Sequence, residues 1–318
     1  MSAILEVEGL TKSFGELVAV GGISFAIQPG ECVGMLGPNG AGKTTTLEIL
    51  EGLQDPTSGT VRLFGKRWAE DPDGIRNRIG IQLQETKFRD RLAAHEVLKL
   101  FRSFYPSGMD VDQALALTGL QEKRKAQVGT LSGGQRQRLG LAVSLISDPD
   151  IVFLDEPTTG LDPHARRELW EVIEGLRHKG RTILLSTHYM EEAQRLCDRL
   201  LVIDRGKLVA DGSPKDLIAK LDQSATLELS VAPAITVEEL GTVPGVLSVE
   251  ARGETLELRV QRVHSTLPQL IALLGTKQRE ITALATRQAS LEDVFLKLTG
   301  HRLVVEEPPK VEKKPWER

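Results

Sequence analysis

The sequence has few cysteines and no marked excess of either charge. Cys32 and Cys197 are the only cysteines among 318 residues, and they fit neither a disulfide framework nor the spacing of a metal site. Two reduced, buried thiols are therefore expected. The 40 basic and 44 acidic side chains leave a net charge of -4, which gives no basic footprint for nucleic acid. We expect no nucleic-acid partner.

Long hydrophobic runs are also missing. The N-terminal stretch MSAILEVEGL has no cationic start followed by an apolar core, so it does not resemble a secretion signal. Apolar runs such as IVFL and LLVI stop well short of the roughly 18 residues that a membrane-spanning helix needs. We expect a soluble chain that acts at a membrane only through another polypeptide.

What the sequence does contain is a regular alternation of strand-like and helical segments up to about residue 220. Short aliphatic runs, among them ECVGMLG, IVFLDEP, TILLSTH and RLLVID, alternate with helical patterns, which predicts an α/β domain over residues 1–221. The stretch from about 88 to 147 has helix-period apolar residues and no strand pattern between them. It predicts a helical subdomain inserted in the α/β core.

The pattern changes after Asp222. Runs such as TLELSV, VLSVEA, TLELRV and ITALATR, with two helical segments between them, give the order β-α-β-β-α-β. This order predicts a small α+β domain of the ferredoxin-like type over residues 222–300, closed by the helix LEDVFLKLTG with glycine at its C-cap. Proline and charge in EEPPKVEKKPWER predict disorder for the tail, 301–318.

One loop has the pattern of a phosphate-binding loop. GPNGAGKT, residues 37–44, follows the strand-like run ECVGMLG and precedes the helical run TTTLEILEGL, which is the context that such a loop requires. Glycines allow backbone N–H groups to surround phosphates, and the following helix presents its positive N-terminal end. Lys43 is predicted to reach the β- and γ-phosphates, and Thr44 to offer its hydroxyl to Mg²⁺.

A second element ends in two carboxylates. In IVFLDEP, Asp155 is a candidate ligand of Mg²⁺ and Glu156 a candidate base for the attacking water. Adjacent side chains of a strand point to opposite faces, so different roles are expected. Taken alone, DEP could also end a strand before a turn.

The order of the motifs decides between these alternatives. GPNGAGKTT, Gln84 in IGIQLQE, LSGGQ at 131–135, IVFLDEPTTGLDP and His188 in LLSTHYMEEA follow one another as in the ATP-binding-cassette (ABC) ATPases, which the chain resembles over residues 1 to about 220. LSGGQ is the signature sequence of that family. The resemblance implies a P-loop ABC ATPase core and, as cofactors, ATP and Mg²⁺.

The resemblance also implies roles for individual residues. Phe14 would stack on adenine, Asp162 would communicate between sites or cap the helix at Pro163, and His188 would contact the γ-phosphate. The implied catalytic residues are Lys43, Glu156 and His188, and the implied metal ligands are Thr44, Gln84 and Asp155. The implied nucleotide-binding residues are Phe14, Gly37, Pro38, Asn39, Gly40, Ala41, Gly42, Lys43, Thr44, Thr45, Gln84, Ser132, Gly133, Gly134, Gln135 and Asp162.

In that family two cassettes pack head to tail, and each ATP lies between the phosphate loop of one and the LSGGQ of the other. A homodimer is the simplest assembly for a chain with one cassette. RQASLEDVFLKLTG resembles the ending of the drug- and lipid-exporter subfamily of the daunorubicin-resistance type. This implies an ATPase that powers a separate integral-membrane permease from the cytoplasmic side. The alternatives are an importer ATPase and a non-transport ABC ATPase.

Overall fold

The computed structural model describes residues 2–84, 87–219, 225–253, 255–287 and 290–301. Contacts divide the chain into a first unit that ends at Pro214 and a second unit that begins at Lys215. The boundary predicted between residues 221 and 222, and the predicted tail beyond residue 301, lie outside the described residues.

The first unit contains two sheets and a set of helices, numbered here in chain order. Its strands and helices are β1 (Leu5–Phe14), β2 (Leu17–Ile27), β3 (Cys32–Leu36), α1 (Lys43–Leu50), β4 (Ser58–Leu63), α2 (Pro72–Arg76), β5 (Ile79–Gln82), α3 (Ala94–Arg102), α4 (Val111–Leu117), α5 (Gly133–Leu145), β6 (Ile151–Asp155), α6 (Pro163–His178), β7 (Thr182–Thr187), α7 (Met190–Leu196), β8 (Arg199–Asp204) and β9 (Lys207–Gly212).

The larger sheet has six strands in the order β5-β6-β7-β3-β8-β9. All neighbours are parallel except β8 and β9. Every residue of β3, β6 and β7 is buried, which explains their near-continuous apolar sequences. Because the strands are parallel, the segments that follow β5, β6, β7 and β3 all begin at one edge of the sheet.

The smaller sheet is antiparallel, in the order β2-β1-β4. Inward-facing residues of its strands, among them Leu5, Val7 and Ile27, join residues of the parallel sheet such as Val33 and Phe153 in one hydrophobic core. This shared core fixes β1 and β2 against the sheet that carries the phosphate loop.

The helical insertion predicted between the strands is confirmed. From Lys87 to Asp150 the chain forms α3, α4, two short 3₁₀ turns and α5, and no strand is assigned among these described residues. Apolar residues of the three helices, including Val97, Leu115 and Leu139, form a core of their own.

The second unit has the predicted ferredoxin-like topology. Its elements are α8 (Pro214–Ala219), which starts at the boundary, β10 (Ala225–Ala232), α9 (Val237–Gly241), β11 (Val246–Arg252), β12 (Thr255–Val260), α10 (Val263–Thr276), β13 (Glu280–Arg287) and α11 (Leu291–Thr299). The sheet has the order β11-β12-β10-β13, with every pair antiparallel. Gly300 ends α11 with a φ of 78°, the left-handed conformation expected of a C-cap glycine.

The two cysteines are buried and unbonded. Cys32 opens β3 and Cys197 lies between α7 and β8, with exposed fractions of 0% and 5%. None of the helices in the described part of the chain is long and apolar enough to cross a membrane.

Candidate active site

The phosphate loop connects β3 to α1 and needs glycine at both ends. Gly42 is the N-cap of α1 and has a φ of 99°, and a Cβ atom there would lie 2.3 Å from the carbonyl oxygen of Ala19. At Gly37 a Cβ atom would lie 2.2 Å from the carbonyl oxygen of Ile203. Larger residues would therefore push the loop away from β2 and β8.

Lys43 is folded back beneath this loop. Its Nζ donates hydrogen bonds to the carbonyl oxygens of Gly37, at 2.9 Å, and Pro38, at 3.0 Å. The same nitrogen lies 3.3 Å from Glu156 Oε1, and both side chains are nearly inaccessible, at 4% and 7%. Burial lowers the pKa of Lys43, although the charge of Glu156 opposes this effect.

The two carboxylates at the end of β6 have different surroundings. Ser186 of β7 donates a hydrogen bond to Asp155 Oδ1 and accepts one, at 3.0 Å, from the backbone N–H of Glu156. The Thr44 hydroxyl donates to Asp155 Oδ1 at 3.4 Å. Glu156 has a φ of 44°, a strained conformation for a residue other than glycine that is often found at functional sites. This turn directs the Glu156 carboxylate toward Lys43.

The electrostatic environment also distinguishes Asp155 from Glu156. Burial raises the pKa of Asp155, although hydrogen bonds from Ser186 and Thr44 oppose it. Burial pushes the pKa of Glu156 in the same direction, but the adjacent His188 nitrogen and the charge of Lys43 outweigh it and bring that pKa to about 2. The Glu156 carboxylate is therefore ionised at neutral pH and can accept a hydrogen bond from water.

Three further side chains surround Glu156 Oε2. The Thr159 hydroxyl donates to it at 3.0 Å, and the Gln84 amide does so at 3.5 Å. His188 Nδ1 lies 3.2 Å from this oxygen, outside the alignment of a hydrogen bond. The structure thus brings together predicted residues that follow four adjacent parallel strands.

The LSGGQ residues form a separate feature. Ser132 is the N-cap of α5, where its Oγ accepts from the Gln135 N–H at 3.2 Å and the Gln135 side chain accepts from the Ser132 N–H at 3.0 Å. A Cβ atom at Gly134 would lie 2.7 Å from Ala165 Cβ on α6. Within the described residues no hydrogen bond joins Ser132–Gln135 to the phosphate loop.

Two other predicted residues also lie apart from the carboxylates. Asp162 caps α6, where its Oδ1 accepts from the N–H groups of His164 and Ala165 at 2.9 and 3.0 Å. Phe14 ends β1, is 47% exposed and has Lys12 Nζ 5.1 Å from the centre of its ring. An exposed aromatic ring is available for stacking, which core packing would have prevented.

Sequence reasoning missed residues that support the site through hydrogen bonds. Ser186 holds both Asp155 and Glu156, and Thr159 holds the Glu156 carboxylate. A signal was present for each, since Ser186 stands two residues before His188 and Thr159 three residues after Glu156. The partners of Ser186 can be identified only when β6 and β7 are known to be neighbours, whereas the contact of Thr159 with Glu156 is local in sequence.

Comparisons with known proteins agree with this geometry. A family described as ABC transporter matches residues 20–159. A second family, described as ATP-binding protein DrrA1-3-like, C-terminal domain, matches residues 212–299. The second match confirms the subfamily resemblance found in RQASLEDVFLKLTG.

Curated relatives and solved structures extend the likeness. Nod factor export ATP-binding protein I of Paraburkholderia xenovorans (strain LB400) is 42% identical over 312 residues, covering 95% of this chain and 98% of the relative. The protein of that name from Ralstonia nicotianae is 41% identical, covering 94% and 95%. The structure of cbiO1 from Clostridium perfringens, part of the ABC transporter complex cbiONQ, matches 69% of this chain at 28% identity and a TM-score of 0.62, covering 92% of that structure. The dimeric bacterial ABC transporter cassette MJ0796 matches 66% at 27% identity and a TM-score of 0.59, covering 98% of its own length.

The predicted family, fold class and ATPase activity are all confirmed by these similarities. The chain has one cassette, a helical insertion and an α+β C-terminal unit in the order that the motifs indicated. It belongs to the ABC transporter family, as an ATP-binding subunit of the kind that hydrolyses ATP to power transport.

Proposed function

We propose that this subunit powers the export of a drug-like, lipid or other amphipathic compound through a separate membrane permease. The DrrA-like C-terminal match and the relatives named for export support this direction of transport. The observation that carries the catalytic part of the proposal is the convergence of Lys43, Glu156 and His188 at one edge of the parallel sheet.

Each catalytic side chain is assigned a role by its contacts. Lys43 would exchange its ion pair with Glu156 for the β- and γ-phosphates, which approach over the same loop. Glu156, released from Lys43, would orient and deprotonate the attacking water. His188 would face the γ-phosphate, since it extends from the strand between those of Lys43 and Glu156. Phe14 would stack on the adenine.

The residues present fit Mg²⁺. Thr44 Oγ1 and Asp155 Oδ1 lie 3.4 Å apart, and Mg²⁺ prefers one or two protein oxygens completed by phosphate and water. We assign Thr44 and Asp155 as ligands, with Gln84 close by on the Glu156 side. When bound, the ion would neutralise charge that develops on the phosphates. Hydrogen bonds from Ser186 and Thr44 fix Asp155 for this role.

The LSGGQ segment would act on the nucleotide held by a second copy of the chain. Ser132, Gly133 and Gly134 start an α-helix of 13 residues, whose N-terminal N–H groups favour an anion. No hydrogen bond couples them to their own phosphate loop within the described residues. A head-to-tail dimer would join each phosphate loop to the signature of its partner. Asp162 would lie beside that shared interface.

The permease would meet an apolar groove between the parallel sheet and the helical insertion. This groove has a volume of about 800 Å³ and is lined by residues that include Glu51, Leu53, Leu83 and Phe104. Leu53 and Phe104 are 57% and 66% exposed, while the buried Glu51 carboxyl oxygens have no hydrogen-bond partner among the described residues. Cytoplasmic loops of membrane proteins are rich in Lys and Arg, and such a side chain would donate hydrogen bonds to the Glu51 oxygens. This contact would place the subunit on the inner face of the membrane.

The test of the catalytic proposal is Glu156→Gln. The variant should bind ATP and slow hydrolysis by about 10²- to 10⁴-fold, the usual range for a positioned general base. Phosphate release, nucleotide binding and size-exclusion chromatography would be measured together, and the ATP-bound variant should elute as a dimer. Glu122→Gln, on an exposed turn, is the matched control. Turnover of Glu156→Gln within threefold of wild type would remove Glu156 from this role.

A further inference from the structure

A buried glutamate outside the motifs connects the segments that surround Glu156. Glu192 lies on α7, four residues after His188, and is 0% exposed. Its Oε1 accepts hydrogen bonds from Thr158 Oγ1 and Trp170 Nε1, both at 2.8 Å. Thr158 belongs to the segment just after Glu156, and Trp170 belongs to α6. One carboxyl oxygen therefore joins three separate parts of the chain.

These contacts complete a closed path around the Glu156 carboxylate. On one side Thr159 donates to Glu156 Oε2 at 3.0 Å, and on the other His188 Nδ1 lies 3.2 Å from the same oxygen. Thr158 is adjacent to Thr159 in the sequence, and Glu192 lies in the first turn of α7, four residues after His188. The Thr158–Glu192 hydrogen bond is thus a direct link between the two segments that hold the carboxylate.

We propose that Glu192 is a positioning residue for ATP hydrolysis, which sets the spacing of Thr159 and His188 around Glu156. This inference rests on the proposed role of Glu156 in catalysis. Binding of ATP depends mainly on the phosphate loop, and no hydrogen bond joins Glu192 to that loop among the described residues. Loss of the Glu192 link should therefore change the rate of the chemical step far more than the affinity for ATP.

Glu192 is connected to its neighbours by hydrogen bonds that its side-chain oxygen accepts. Burial raises the pKa of the Glu192 carboxyl, although hydrogen bonds with Thr187, Trp170 and Thr158 oppose that effect. A glutamine at this position keeps an oxygen that can accept from Thr158 and Trp170. A leucine has nearly the same size but leaves both donors buried without a partner.

The two donors provide a matched pair of variants. Thr158→Val removes one hydroxyl at nearly constant shape and breaks the link to the segment after Glu156. Trp170→Phe removes the other donor to the same oxygen and leaves that segment untouched. We expect Thr158→Val to lower kcat by about 3- to 10-fold, the rate equivalent of one neutral hydrogen bond, with KM for ATP within twofold of wild type. Trp170→Phe should lower the midpoint of thermal unfolding but keep at least half of kcat.

Glu192 variants complete the experiment on the full-length chain. Glu192→Leu should lower kcat by about 10- to 100-fold, a typical effect of small misplacements in an active site, and Glu192→Gln should restore at least half of wild-type kcat. The double variant Thr158→Val/Glu192→Leu should be no slower than Glu192→Leu, since both break one contact. Should Glu192→Leu not fold, Thr158→Val and Glu192→Gln still decide the question.

Three outcomes would overturn the proposal: kcat of Thr158→Val within twofold of wild type, an equal loss of kcat in Trp170→Phe, or a KM that rises in step with the fall in kcat. Glu156→Gln, assayed beside them, separates this inference from the proposed function. If Glu156→Gln is inactive while Thr158→Val is normal, only the role of Glu192 fails.

Discussion

Glu51→Gln should make the protein more stable at alkaline pH than wild type. Glu51 follows α1, is 3% exposed, and its carboxyl oxygens have no hydrogen-bond partner in the described part of the chain. Burial, with the charges of Asp155 and Glu48, raises its pKa from 4.5 to about 8. The other charged side chains that line the groove are Asp73 and Arg76.

The direction of the pH effect on stability follows from the raised pKa of Glu51. Between about pH 4.5 and 8 the folded protein keeps a proton on Glu51 that the unfolded chain releases. The stabilising contribution of Glu51 is therefore complete below pH 4.5 and is lost as the pH rises to about 8. The pKa shift corresponds to a loss of roughly 4 to 5 kcal/mol in the free energy of unfolding above pH 8. Relaxation of the protein around the charged carboxylate reduces this loss to about 2 to 4 kcal/mol. The substituted glutamine carries no charge and avoids the loss.

Thermal unfolding at pH 5.5 and pH 8 would measure the effect. Each 1 kcal/mol shifts the Tm of a domain of this size by about 2–4 °C, so the Tm advantage of Glu51→Gln should be about 4–10 °C larger at pH 8 than at pH 5.5. Glu122→Gln is the matched control, because Glu122 lies on an exposed turn and is not among the charges that raise the pKa of Glu51. An equal Tm difference at the two pH values would refute the reasoning.

Three other predictions concern the cassette. Gly42→Ala should weaken ATP binding at least tenfold, because its Cβ would meet the Ala19 carbonyl oxygen. Gly40 has a φ of 78° but nothing within 4 Å of a Cβ atom, so Gly40→Ala should cost only about 1 kcal/mol of stability. Equal ATP affinities of the two variants would contradict this prediction. Lys43→Ala and Ser132→Arg homodimers should each be nearly inactive. Random subunit exchange between them should restore about a quarter of wild-type nucleotide trapping under two-fold geometry. Verified exchange without recovery would argue against shared sites. A chain truncated after Asp222 should bind ATP within about threefold of the full-length affinity, since every nucleotide motif lies upstream; an insoluble product would place the domain boundary elsewhere.

Much of the fold and the central site residues could be predicted because each motif carries its own local context. The phosphate loop lies between a fully buried strand and a helix, and Asp155 ends a strand of five buried residues. Such signals depend on a few neighbouring residues and can be identified in a linear sequence.

Features that depend on strand order were not predictable in this way. Ser186 bonds to Asp155 only because β6 and β7 are neighbours, and β5, with four residues, is too short to give a clear period. Glu51 directly follows α1, where an exposed carboxylate is the ordinary expectation, and its burial depends on the groove formed around it.

The burial of both cysteines has a practical consequence for labelling. Cys32 and Cys197 are inaccessible in the folded chain, so a cysteine introduced on the surface would be the preferred target of thiol reagents without removal of the native pair. Single cysteines near Ser132 and Asn39 would allow cross-linking between two copies to be followed on a gel, with and without ATP. The native cysteines would therefore contribute little to the reaction in such cross-linking experiments.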